Sequence, residues 1–136
     1  MQHGAFENIP LPHGIRSRFV SNINGLTMHL LEAGFESKNR PCVLLLHGFP
    51  ELAYSWRKVM FPIAAAGFHV IAPDQRGYGR TTGWDGNYDG DLDSFRMLNL
   101  VGCNRSHNST CKLSSFRTLT WFKTLIICCL NRRPCR

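Results

Sequence analysis

The sequence predicts an α/β fold, incomplete: an amino-terminal β-hairpin and one β-α-β unit of a mostly parallel sheet, followed by an unrelated basic tail. Three observations predict it. The run "CVLLLH" (Cys42–His47) is apolar at successive positions, as in a strand buried on both faces. After Pro50 the apolar residues Leu52, Trp56, Val59/Met60 and Ile63 recur at helical spacing. "FHVIAP" (Phe68–Pro73) then restores a buried strand.

Residues 1–14, with Pro10, Pro12 and Gly14, read as a lead-in segment. A short strand near Arg18–Ser21 follows, then an Asn-Gly turn at Asn24–Gly25. A second strand has Leu26, Met28 and Leu30 alternating with Thr27 and His29. "SKNRP" is a polar loop before the first buried strand. Gly67 is placed to end the helix, and the strand-helix-strand unit is a crossover, right-handed by default. "DQRGYGRTTGWDGNYDGD" is a glycine-rich loop, after which Asp91 caps a helix using Leu92, Phe95, Leu98 and Val101.

At Gly102 the composition changes. Residues 1–102 contain nine Lys/Arg and nine Asp/Glu, whereas the remaining residues contain seven Lys/Arg and no acid, so the net charge of +7 belongs to the tail. Five of the six cysteines are there too: Cys103, Cys111, Cys128, Cys129 and Cys135. The division is therefore 1–14 lead-in, 15–101 a truncated domain, and 102–136 a basic Cys/Ser-rich tail, disordered or mistranslated. "LTWFKTLIICCL" (Leu119–Leu130), the longest apolar-rich stretch, is too short for a transmembrane helix, which needs about 20 residues. The opening residues show no secretory signal, so a cytoplasmic location is expected.

A loop leaving the carboxyl end of a parallel strand is where open α/β sheets place their chemistry. In His47-Gly48-Phe49-Pro50, Gly48 permits a tight turn, Pro50 removes one donor, and the Phe49 N–H is left free to stabilise a developing oxyanion. The bland alternative is a strand-to-helix turn with no chemistry. A second motif, Asp74-Gln75-Arg76-Gly77-Tyr78-Gly79-Arg80-Thr81, follows the next strand.

With Glu51 and the helical Ser55-Trp56, these two motifs resemble the amino-terminal part of an α/β-hydrolase, most similar to the soluble epoxide hydrolases. The resemblance covers roughly residues 15–101. It implies that Phe49 supplies one oxyanion-hole N–H and that His47, Gly48 and Pro50 shape the turn. Asp74, Arg76, Gly77 and Gly79 would form a structural motif, with Arg76 tying loops together around the site. It also implies an Asp nucleophile on an elbow after a fifth strand, an Asp-ester intermediate formed on an epoxide, and an acid–His pair that releases the diol. No cofactor and no metal are implied.

No Gly-x-Ser-x-Gly or Gly-x-Asp-x-Gly elbow occurs. Gly83-Trp84-Asp85-Gly86-Asn87 is rejected, because no buried strand leads into it. Downstream, His107 is the sole histidine and lies in acid-free sequence. The chain is therefore expected to be a catalytically incomplete hydrolase fragment. In the resembling family the fifth strand lies beside the third, so its loss would leave "CVLLLH" (Cys42–His47) as an open apolar edge. Such an edge invites self-association or a partner strand.

Competing signals are weaker. Asp85, Asn87, Asp89, Gly90, Asp91 and Asp93 match most of a calcium loop, but Arg96 stands where a bidentate Glu belongs, and an acidic surface loop is the better reading. Cys103, His107 and Cys111 lack the spacing of a zinc module. The tail's charges are scattered and carry no nucleic-acid-binding motif, so no nucleic acid partner is expected, although a basic tail could attach to an anionic surface.

Overall fold

The computed structural model describes residues 10–87, 116–121 and 124–129. The helix expected from Asp91, the Cys103/His107/Cys111 cluster and most of the calcium-like loop lie outside these residues. So do the first nine residues of the lead-in.

Strands β1 (Ile15–Ile23) and β2 (Leu26–Ala33) form the hairpin. Asn24 and Gly25 have φ of 50° and 78°, the pair of positive values that a two-residue turn matched to strand twist requires. Strand β3 (Cys42–Leu46), a 3-10 turn at Ala53–Trp56, helix α1 (Arg57–Ala65) and strand β4 (His69–Pro73) make the β-α-β unit. β3 and β4 run parallel, with Val43 opposite Val70 and Leu44 opposite Ile71. β2 pairs antiparallel with the other edge of β4, Leu31 opposite Ala72. Helix α1 ends where Gly67 takes φ 95°, its N–H bonded to Ala64 O.

The tail is not without structure. Strands β5 (Phe116–Trp121) and β6 (Thr124–Cys129) form a second hairpin, and β6 lies antiparallel along β3 with Cys42 opposite Cys129 and Leu46 opposite Leu125. The sheet order is β1-β2-β4-β3-β6-β5. The edge of β3 expected to be open is therefore occupied, and the composition break at Gly102 is not a break in the sheet. The described sheet is mixed, with β3 and β4 as its parallel pair.

Two apolar clusters lie on the two faces. Ala53, Met60 and Ala64 pack on Leu31, Val43, Leu45, Val70 and Ala72. Met28, Leu30, Cys42 and Ile71 form the other cluster with Ile23 and Leu26. Of the pair Val59/Met60 expected on the inner face of the helix, Met60 is buried and Val59 is exposed. β2 is buried on nearly every residue, rather than on alternate ones, because it lies between β1 and β4. Among the described residues, no helix is long and apolar enough to cross a membrane.

Candidate active-site turn and its support

The chain leaves β3 at His47 and turns at once. The Glu51 N–H donates to Gly48 O at 2.8 Å, and the cis Phe49–Pro50 peptide sits at the centre of this four-residue turn. Gly48 is not among the residues with positive φ, so the turn's shape comes from the Phe49–Pro50 unit and not from a left-handed glycine. Among the described residues, the Phe49 N–H has no hydrogen-bond acceptor. The Phe49 side chain is 77% exposed.

His47 anchors the turn from below. It is buried, and its Nε2 accepts the Gln75 N–H at 3.0 Å. An imidazole nitrogen that accepts carries no proton, so the proton resides on Nδ1, which donates to Gly48 O at 3.0 Å. The Gln75 side-chain amide returns a short hydrogen bond to His47 O. Tyr78 packs edge-on against the His47 ring with centroids 5.0 Å apart. These contacts tie the loop after β3 to the loop after β4, and both ring nitrogens of His47 are committed to backbone groups.

Asp74 is the centre of the second motif. It is 3% exposed, and its carboxylate accepts three N–H groups: Ala53 N at 2.9 Å on Oδ1, and Arg80 N at 3.0 Å and His29 Nδ1 at 2.7 Å on Oδ2. Burial alone would raise its pKa. The His29 hydrogen bond, then the Arg80 and Ala53 amides, outweigh burial and hold the carboxyl below its ordinary value. Thr81 closes the network, its hydroxyl donating to Asp74 O and accepting the His29 N–H. Gly79 has φ 52°, and a Cβ there would lie 2.2 Å from Asp74 Oδ2. Gly77 also has positive φ, at 81°. The Arg76 guanidinium is buried and donates to Asn24 O at 3.1 Å, linking this loop to the β1–β2 turn.

Sequence reasoning missed two buried polar residues near this support, His29 and Glu32. His29, placed on the polar side of an alternating strand, is 5% exposed because it bonds Asp74. Its other nitrogen, Nε2, is 2.8 Å from Ser17 Oγ. Glu32, 1% exposed, meets Arg16 at 2.8 Å and Arg18 at 3.1 Å, with His69 Nε2 at 3.5 Å. The last distance is too long for a good hydrogen bond. Burial pushes Glu32 up, but His69, Arg16 and Arg18 bring it down to about 2. A histidine or glutamate inside a strand otherwise rich in Leu and Met was the available signal.

Among the described residues, no group of three or more His, Cys, Asp or Glu side chains is set to hold a metal. Asp85 Oδ1 accepts the Asn87 N–H at 3.0 Å, a local turn contact.

The profile of the alpha/beta hydrolase fold family matches residues 41–121. Epoxide hydrolase A of Mycobacterium tuberculosis is 57% identical over 66 residues, covering 48% of this chain and 20% of that protein. An AB hydrolase superfamily protein of Bacillus subtilis, YfhM, is 44% identical over 84 residues, covering 62% of this chain and 27% of that protein. Among solved structures, potato (Solanum tuberosum) epoxide hydrolase I superposes with a TM-score of 0.59 at 45% identity, over 69% of this chain and 27% of that one. The chain thus spans about a quarter of the length of these relatives. The match takes in β3, α1, β4 and β5 and runs past the composition break. Strand order, turn and sequence together establish that the chain belongs to the alpha/beta hydrolase fold family, in its epoxide hydrolase-like part.

Proposed function

We propose that these residues supply the oxyanion-stabilising half of a site of epoxide-hydrolase type, and that the 136 residues as they stand do not turn over an epoxide alone. The observation that carries the first part is the Phe49 N–H, left without an acceptor among the described residues, in a turn whose supporting histidine is bonded at both nitrogens. A donor fixed in advance costs no reorganisation when charge develops on the carbonyl oxygen of an ester intermediate. Two of the similar proteins are named epoxide hydrolases. The parent reaction is therefore attack by a carboxylate on an epoxide carbon, opening of the ring, and hydrolysis of the resulting ester to a diol.

The second part rests on the absence from the sequence of a Gly-x-Asp-x-Gly or Gly-x-Ser-x-Gly elbow and of an acid–His pair downstream of it. Residues 15–101 act as the hydrolase portion, and the basic 102–136 segment contributes strands and no catalytic group. The site is cytoplasmic and takes a small epoxide; nucleic acid is not its partner.

Purified chain incubated with styrene oxide should form no diol above the uncatalysed background. Diol formation proportional to protein would overturn the inactivity. In a longer chain carrying an elbow, Phe49→Pro removes the N–H and should lower kcat about 100-fold or more. An unchanged kcat there would refute the assignment of Phe49.

A further inference from the structure

Ser17, His29 and Asp74 stand in a hydrogen-bonded row. Ser17 Oγ is 2.8 Å from His29 Nε2, and His29 Nδ1 is 2.7 Å from Asp74 Oδ2. Exposure increases along the row: Asp74 and His29 are buried, and Ser17 is exposed on β1. An ionised carboxylate only accepts, so the neutral His29 ring carries its proton on Nδ1. Nε2 is then left with a lone pair, and the Ser17 hydroxyl donates to it. Asp74 cannot swing away, because Ala53 N and Arg80 N hold both its oxygens. A hydroxyl, a base and an acid that fixes the base's tautomer are the three parts of an activated serine.

All three residues border one open cavity of about 370 Å³. Its walls include Leu11, Leu31, Leu52 and Tyr54, and Arg80 brings a guanidinium to it. That guanidinium is held over the Phe19 ring, 4.9 Å from its centroid. The volume suits a small organic ligand with an apolar body and few polar atoms.

We propose that Ser17, His29 and Asp74 hydrolyse small carboxylic esters with an apolar acyl group, in this cavity and without use of Phe49. Ser17 Oγ attacks the carbonyl carbon while its proton passes to His29 Nε2. The Arg80 guanidinium faces the oxyanion. The tetrahedral adduct collapses, the ester C–O bond breaks, and His29 returns the proton to the departing alcohol. Water then attacks the acyl-serine, giving its proton to His29. Breaking of the acyl–Oγ bond, with that proton returned to Ser17, releases the carboxylic acid. One ester and one water become one acid and one alcohol, and no oxidant or cofactor enters.

The test uses the full chain with a fluorophosphonate probe, followed by peptide mapping. A covalent adduct on Ser17 is expected, together with hydrolysis of p-nitrophenyl butyrate that falls about 100-fold or more in Ser17→Ala. No adduct on Ser17, or ester hydrolysis within twofold of the parent in Ser17→Ala, overturns the proposal. Ser17 is exposed, so the variant should retain its melting temperature, and the mapping of unmodified chain decides the matter even if it does not. The outcome is independent of styrene oxide turnover, which tests the Phe49 turn and not this row.

Discussion

Replacing Asp74 with Asn keeps the shape of the side chain and removes one acceptor and one charge. The carboxylate receives three buried N–H groups, two on Oδ2 and one on Oδ1. An asparagine oxygen is best placed at the Oδ2 position, where it still accepts from His29 and Arg80. Its NH2 then faces the Ala53 N–H, a donor against a donor in a buried site. Stranding such a donor costs about 1–3 kcal/mol, and turning two charge-assisted hydrogen bonds into neutral ones removes about 1 kcal/mol each. Part of this is offset because an amide is easier to bury than a carboxylate. The net loss is about 2–4 kcal/mol, a large fraction of the ~5–15 kcal/mol that holds a domain together. Urea unfolding followed by tryptophan fluorescence reads it directly, since Trp56 and Trp84 lie on the elements that Asp74 joins. With a slope of about 1–2 kcal/mol/M, the midpoint should fall by at least about 1 M in Asp74→Asn. A fall of less than about 0.5 M at unchanged slope would show that the three bonds do not stabilise the fold.

Three further outcomes are expected. Gly79→Ala forces a Cβ to within 2.2 Å of the Asp74 carboxylate at a φ of 52°, and should destabilise by about 2–4 kcal/mol, with Gly25→Ala, whose Cβ meets nothing within 4 Å, losing only the smaller backbone term. Glu32 and Asp74 are both lowered in the folded state, so the unfolded chain binds protons first as pH falls; stability should be complete above about 4.5 and drain away toward about 2. Glu32→Gln should remove about 1–2 kcal/mol of that pH-dependent part, a figure kept small because Arg16 and Arg18 are 45% and 42% exposed, and an acid limb identical in parent and variant would contradict it. Ile127→Pro interrupts the ladder between β6 and β3, uncovering the edge at Leu44, and should turn a monomer into concentration-dependent aggregates by size-exclusion chromatography; a monomer at every concentration would refute the role of β6 as an edge cover.

The parts of the fold written locally were legible. Asn24-Gly25 has the chemistry of its turn, and the unbroken apolar run of β3 reports burial on both faces. The change of period at Pro50 announces α1 and its inner face, although not that the first turn, Ala53–Trp56, is 3-10. What escaped was non-local. His29 is buried by a partner 45 positions away, and Glu32 by Arg16, 16 positions back, so no short window contains the pairing. The composition of the tail drew attention away from β6, whose Thr-Leu-Ile-Ile is β-branched and apolar. The motif residues around Phe49 and Asp74 were readable as a pair, whereas the Ser17 contact with His29 depends on the register of β1 against β2, which sequence leaves open.

The pairing of β6 with β3 also fixes a direction. Because Leu125 lies beside Leu46 and Cys129 beside Cys42, a chain travelling along β6 moves away from the Phe49 turn and arrives at the opposite pole of the sheet. Cys129 is thus four residues along the strand from Leu125, about 14 Å at the rise of a strand, at the end of β3 remote from Phe49. The paired residues Trp121 and Thr124 stand at the Phe49 end instead. A strand of reversed polarity can seal the edge of β3 as well as a parallel one does. Its far end lies at the opposite pole from the Phe49 turn, so in this arrangement closing the sheet and placing a strand end beside that turn are separate problems.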